Sequence, residues 1–167
     1  MATSSVVLGG ERATPASLLS RFLFAGATVA VLDGAFAVVA YVSILHLTTA
    51  TRIFQSIAAG LLGKAAYDGG TSTAALGVLC HFIVAFGWTT VYLVLSRRIT
   101  SIRQFASSNA GTIITGLAYG AVMWLAMNFV VVPNSAAHRP PVTNWQFWLQ
   151  LVWHMIALGP PIVRILR

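Results

Sequence analysis

The stretch FLFAGATVAVLDGAFAVVAYVSIL, Phe22 to Leu45, holds a single charged residue, Asp33, near its middle. A helix advances about 1.5 Å per residue, so a run of this length reaches across the roughly 30 Å hydrocarbon layer of a bilayer. In lipid every backbone N–H and C=O must find a partner within the protein, and a helix supplies those partners inside one segment. A carboxyl group at that depth is costly, so Asp33 must face protein, water or a partner. It is the one acid in any apolar run of the chain, which carries only three Asp plus Glu.

Three further apolar runs follow, at about 75–95, 112–132 and 145–166, and with the first at about 22–45 they predict an all-α membrane protein, a four-transmembrane-helix bundle. Composition agrees: 57% of residues are hydrophobic and 8% charged, against about a quarter charged in soluble domains. Residues 1–20 read as a flexible tail and 21–167 as one membrane domain. The net charge of +7 is spread over single or paired basic residues at run ends. That pattern orients a chain in a bilayer and contacts anionic lipid; it does not track a nucleic-acid backbone, and no nucleic-acid partner is expected. With the amino terminus inside, seven cations (Arg12, Arg21, Arg97, Arg98, Arg103, Arg164, Arg167) lie on the cytoplasmic side and three (Arg52, Lys64, Arg139) on the other. Both termini are therefore expected in the cytoplasm. Arg21, the apolar run and Ala35-Phe36-Ala37 have the features of a cleavable signal, but the run continues to Val42, so cleavage would start the mature chain inside the membrane. Retention is expected. The one cysteine, Cys80, excludes an internal disulfide.

Between the first two runs, Ile53, Ile57, Leu61 and Leu62 recur at helical spacing, with Arg52, Gln55, Ser56 and Lys64 elsewhere around the helix. This predicts a short amphipathic helix over about 52–64, lying in the outer interface, with a re-entrant half-helix as the alternative. Asp68-Gly69-Gly70 closes it as a turn. Thr143 or Asn144 should cap the last run, which opens with Trp145, Phe147 and Trp148 as an interfacial aromatic belt. Gly159-Pro160-Pro161 should break or kink it.

Each run also has a small or polar face, as close packing in lipid requires. Gly26, Ala30 and Gly34 align in the first, and Gly77, His81 and Ala85 in the second. Thr112, Gly116, Gly120, Trp124 and Asn128 form one stripe in the third, and Gln150, His154 and Leu158 align in the fourth. A homo-oligomer through Gly116/Gly120 or through Gly26/Ala30/Gly34 is one use of such faces. Counting from the outer ends at about 1.5 Å per residue puts Asn128 about 6 Å deep, His81 about 9 Å, His154 about 13 Å and Asp33 about 18 Å. His46 and His138 fall at or beyond the boundary. Asp33, His81, Asn128 and His154 are thus candidate lining residues of an outer-half pocket, with Asp33 as its floor and His81 and His154 as its working groups. Arg52, Gln55 and Lys64 are candidates for its mouth or for lipid contact.

Four strings, Arg52-Ile-Phe-Gln-Ser-Ile-Ala-Ala-Gly-Leu-Leu-Gly63, Leu79-Cys-His81-Phe-Ile-Val-Ala85, Met127-Asn128-Phe-Val-Val-Val-Pro133 and His154-Met-Ile-Ala-Leu-Gly159-Pro-Pro-Ile162, occur in that order. Together they resemble a family of small four-span bacterial inner-membrane proteins, the YagU-like proteins. The resemblance covers about residues 20 to 165 and implies a bacterial inner membrane and the topology already argued. It implies no activity, and Asp33 lies outside all four strings.

No nucleophile elbow, phosphate-binding glycine loop, paired carboxylates or His-x-x-His spacing occurs, so neither enzymatic activity nor a cofactor or metal is expected. The expected function is a non-enzymatic membrane protein whose pocket binds or passes a small solute, a proton or a lipid headgroup. The alternative is a structural or interaction subunit whose polar residues only register helices. A haem or metal held by His81 and His154 is a third reading.

Overall fold

The computed structural model describes residues 17–167, and among them every regular element is helical. Most of the expected tail lies outside these residues. Four helices are long and apolar enough to cross a membrane: Leu18–Ile44, Gly70–Arg98, Asn109–Asn134 and Trp145–Leu166, here spans one to four. Three of them extend several residues beyond the apolar runs. Hydropathy registers only the lipid-facing part, whereas the backbone ladder continues through Thr71 to Thr73 and back to Asn109 until a cap or turn stops it. Ser17 caps span one by accepting from Ser20 N–H at 3.2 Å, so this helix begins inside the segment expected to be tail. Ser108 and Asn144 cap spans three and four.

Three spans change from α to π geometry partway along, at Val39–Ile44, Met127–Val131 and His154–Leu158. Each π segment opens on an N–H shared between the carbonyls three and four residues back. Two lie just before prolines, Pro133 and the Pro160-Pro161 pair. A proline removes one ladder N–H and crowds the carbonyl four residues earlier, and a wider turn upstream takes up that displacement. The proline pair consequently does not break span four, which runs on to Leu166.

Glycine decides how closely the spans meet. A Cβ on Gly120 would overlap His154 O and Met155 Cα, one on Gly116 would overlap Pro160, and one on Gly159 would overlap Gly116 O. Spans three and four therefore touch backbone to backbone. Gly26 faces the Phe86 ring and Gly34 the His81 ring, which joins spans one and two. Both faces offered for a homo-oligomer are thus occupied within one chain, and a second copy would meet another surface. The core between the spans comprises Val29, Ala30, Tyr92, Met123, Leu158 and Ile162, among others.

The helix between spans one and two covers Ala50–Leu62, begins at the Thr49 cap and ends at Gly63, whose φ of 59° is a left-handed conformation open to glycine. Its protein-facing side is built from small and polar residues. Gln55, Ala58 and Ala59 are buried, while Leu61 is 66% exposed. Small residues allow close approach: Gly77 of span two lies against the Phe54 carbonyl, so a Cβ there would overlap it. Gln55 Nε2 donates to Gly70 O at 3.0 Å, tying the helix to the first turn of span two. In a membrane protein close packing and hydrogen bonding outweigh the burial of large aliphatic side chains, which turn outward. Phe147 likewise leaves the expected aromatic belt. It is buried against the Trp124 ring at 3.9 Å, whereas Trp145 and Trp148 remain exposed.

Candidate functional site

Asp33, His81, Asn128 and His154 line one cavity of about 260 Å³ between the spans. Every span contributes, and the connecting helix closes one side with Ser56 and Ile57. Asn128 and His154 sit at the start of π segments, where the wider turn changes the direction in which successive side chains point. The Asp33 Oδ1 is 3.9 Å from His154 Nε2.

The hydrogen bonds assign the ring protons. His154 Nδ1 lies 2.9 Å from Gln150 O, and a carbonyl only accepts, so Nδ1 carries a hydrogen. In the neutral ring Nε2 then presents its lone pair toward Asp33. His81 Nε2 lies 2.9 Å from Ala30 O and must likewise donate, which ties span two to span one. Asn128 donates from Nδ2 to Trp124 O at 3.0 Å, and its carbonyl oxygen has no donor among the described residues. Trp124 and Trp153 bury indole N–H groups that have no acceptor among the described residues. Trp153 is stacked on Phe36, ring centres 4.4 Å apart.

A second cavity of about 270 Å³ adjoins the first and shares Asn128, Val132 and Gln150 with it. Its outer wall is the loop before span four, with Arg139, Pro140 and Pro141, and Tyr41 of span one faces the same space. The second cavity is termed the vestibule and the first the chamber; Asn128, Val132 and Gln150 form part of the wall of both. Arg139 is therefore the cation at the approach. Arg52 instead points to its own hairpin, donating to Tyr67 O at 3.2 Å and stacking over the Tyr67 ring at 4.9 Å. Lys64 is exposed beside it and lines neither cavity, and Gln55, expected at the mouth, is the buried tie already described. His46 and His138 occupy loop positions with φ of 51° and 44°.

Sequence reading passed over Arg139, Tyr41 and Ser56 as site residues, and Gln150 it placed only on a packing face. The Arg139 loop has no periodicity to assign it to a face; Gln150, at i−4 to His154, carried the available signal. Among the described residues no group of three or more His, Cys, Asp and Glu is placed to hold a metal ion. The Nε2 atoms of His81 and His154 both face protein partners, a poor arrangement for two axial haem ligands.

Chemically, the chamber offers a carboxylate 3.9 Å from an imidazole, an amide oxygen free of donors among the described residues, and the Trp124 indole, inside largely apolar walls. Small-ligand sites are built this way, with few polar groups in an apolar cavity. Comparison of the chain with known proteins found no matching family model, no matching curated protein and no matching solved structure.

Proposed function

We propose that this multi-pass membrane protein binds a small polar solute in the chamber and moves it between vestibule and chamber, with the Asp33–His154 pair taking up or releasing a proton as the solute arrives. The observation that carries this reading is the convergence of polar side chains from all four spans on one cavity between the helices. Intramembrane ionisable groups mark ion, proton and substrate paths far more often than lipid-facing surfaces. The volume lies near or below the low end of ordinary ligand pockets, roughly 300 Å³, which favours a small solute over a lipid tail. The reading is of a binder or carrier rather than an enzyme, because Ser56, the one hydroxyl among the described lining residues, donates to Ile53 O at 2.7 Å rather than to an imidazole.

Asn128→Leu tests it by placing an apolar side chain in the wall that both cavities share. In proteoliposomes carrying an entrapped pH dye, the wild type is expected to relax an imposed pH gradient faster than protein-free vesicles. Asn128→Leu should abolish that excess while keeping the wild-type unfolding temperature. A wild type indistinguishable from empty vesicles, or an unaffected variant, would favour the structural reading, for which the His81–Ala30 tie between spans speaks.

Membership of the YagU-like family, a bacterial inner membrane and cytoplasmic termini are proposed together. The four ordered strings support the first two. The surplus of arginine at the end bearing Arg21, Arg97, Arg98, Arg103, Arg164 and Arg167 supports the third. A cysteine placed at Ser108, at the start of span three, should react with an impermeant maleimide only after the membrane is opened. Labelling in intact cells would reverse the orientation.

A further inference from the structure

At the end of the bundle opposite the chamber, four arginines surround a cavity of about 560 Å³: Arg21, Arg97, Arg103 and Arg167. They come from the first turn of span one, the last turn of span two, the short helix Thr100–Phe105 and the end of the chain. Two are fixed in place. Arg21 Nε donates to Ile165 O at 2.6 Å and its guanidinium also reaches Arg167 O. Arg167 Nη1 donates to Thr112 Oγ1 at 2.8 Å, and Thr112 is itself buried. Among the described residues Arg97 and Arg103 have no hydrogen-bond or carboxylate partner. No Asp or Glu side chain of the described residues lines the cavity: Asp33 belongs to the chamber and Asp68 to the turn before span two.

Four like charges gathered around one space repel each other, and the repulsion is relieved when an anion enters. Guanidinium groups match phosphate oxygens in a two-pronged geometry, and two anchored arginines supply a preformed half of such a site. Not every cation of this end takes part, since Arg98 and Arg164 line no part of the cavity. Its other walls include Leu18, Leu93 and Leu166, at or near the tips of spans, the level of lipid headgroups. We propose that this cavity is a binding site for a phosphate group, with the headgroup of an anionic phospholipid as the source its position favours.

The full chain in a neutral detergent provides the test, read as unfolding temperature against added phosphatidylglycerol, phosphatidylcholine or inorganic phosphate. Phosphatidylglycerol is expected to raise the unfolding temperature saturably and phosphatidylcholine to leave it unchanged. The double variant Arg97→Gln/Arg103→Gln removes the two unpartnered groups. It should keep or slightly raise the lipid-free unfolding temperature, since two repelling charges are gone, and need about tenfold or more lipid for the same effect, the scale of losing charge-assisted contacts. Arg98→Gln/Arg164→Gln should respond within about twofold of wild type. Inorganic phosphate reproducing the stabilisation, with the same dependence on Arg97 and Arg103, would assign the site to free phosphate instead of a headgroup. Equal loss in both double variants, or no saturable response to either phosphate source, overturns the proposal.

Discussion

Replacing Gly120 with alanine is expected to lower the unfolding free energy by about 3 kcal/mol or more, near or beyond the upper end of what overpacking usually does. The added Cβ would overlap His154 O and Met155 Cα. Those are main-chain atoms, so no rotamer change relieves the clash and span four must move as a body. In doing so it would carry His154 away from Asp33, and proteoliposome flux should fall together with stability. Gly87→Ala is the matched control, because a Cβ there meets nothing within 4 Å. It should leave stability unchanged or slightly raised through better helix propensity. Thermal unfolding in detergent reads both variants. A Gly120→Ala protein as stable as wild type would show that spans three and four do not meet at this glycine.

Asp33→Asn and His154→Gln should each reduce proton-linked flux at least about tenfold, and the double variant should be no worse than either, as for groups that act as a unit. Because the hydrogen on His154 Nδ1 is committed to Gln150 O, only Nε2 can exchange a proton toward the cavity. With Asp33 Oδ1 at 3.9 Å, one proton serves both groups. It sits on the imidazole as an ion pair or on the carboxyl as a neutral pair, and the net charge is the same in either form. A solute that donates to the carboxylate lowers the pair's affinity for that proton, so the proton leaves through Nε2 or the carboxyl to the cavity as the solute binds and returns when the solute departs. Asparagine and glutamine keep the shape and hydrogen bonding but can neither gain nor lose the proton. Initial rates of internal pH change, measured on variants that retain the wild-type unfolding temperature, check this. Additive losses of less than twofold each would mean that the pair only holds helices together.

The interior polar groups were legible in the sequence because lipid makes them conspicuous. Asp33, His81, Asn128 and His154 stand out where almost everything else is aliphatic, and they converge on one chamber. The π turns at Val39–Ile44, Met127–Val131 and His154–Leu158 were not legible, because they depend on hydrogen-bond sharing along the helix, which hydropathy does not encode. The partner of Asp33 was hidden for a related reason: a contact between residues 33 and 154 has no local signature. Gln55, a candidate for the mouth or for lipid contact because it lies off the aliphatic face, is buried instead. Here Ala58, Ala59 and Gly77 permit a closer contact than leucine would, and Gln55 finds the Gly70 carbonyl.

Sequence alone determined the solvent and the number of crossings, since each span must satisfy its own backbone in lipid and must be about 20 residues long to do so. It also marked the stripe from Thr112 through Gly116 and Gly120 to Asn128 as a contact face. Which helix fills that face, which acid meets which imidazole, and which arginines gather at the far end were decided by the tertiary structure. Those choices depend on backbone approach of a few ångströms between segments far apart in the chain, where glycine, proline and π turns act together.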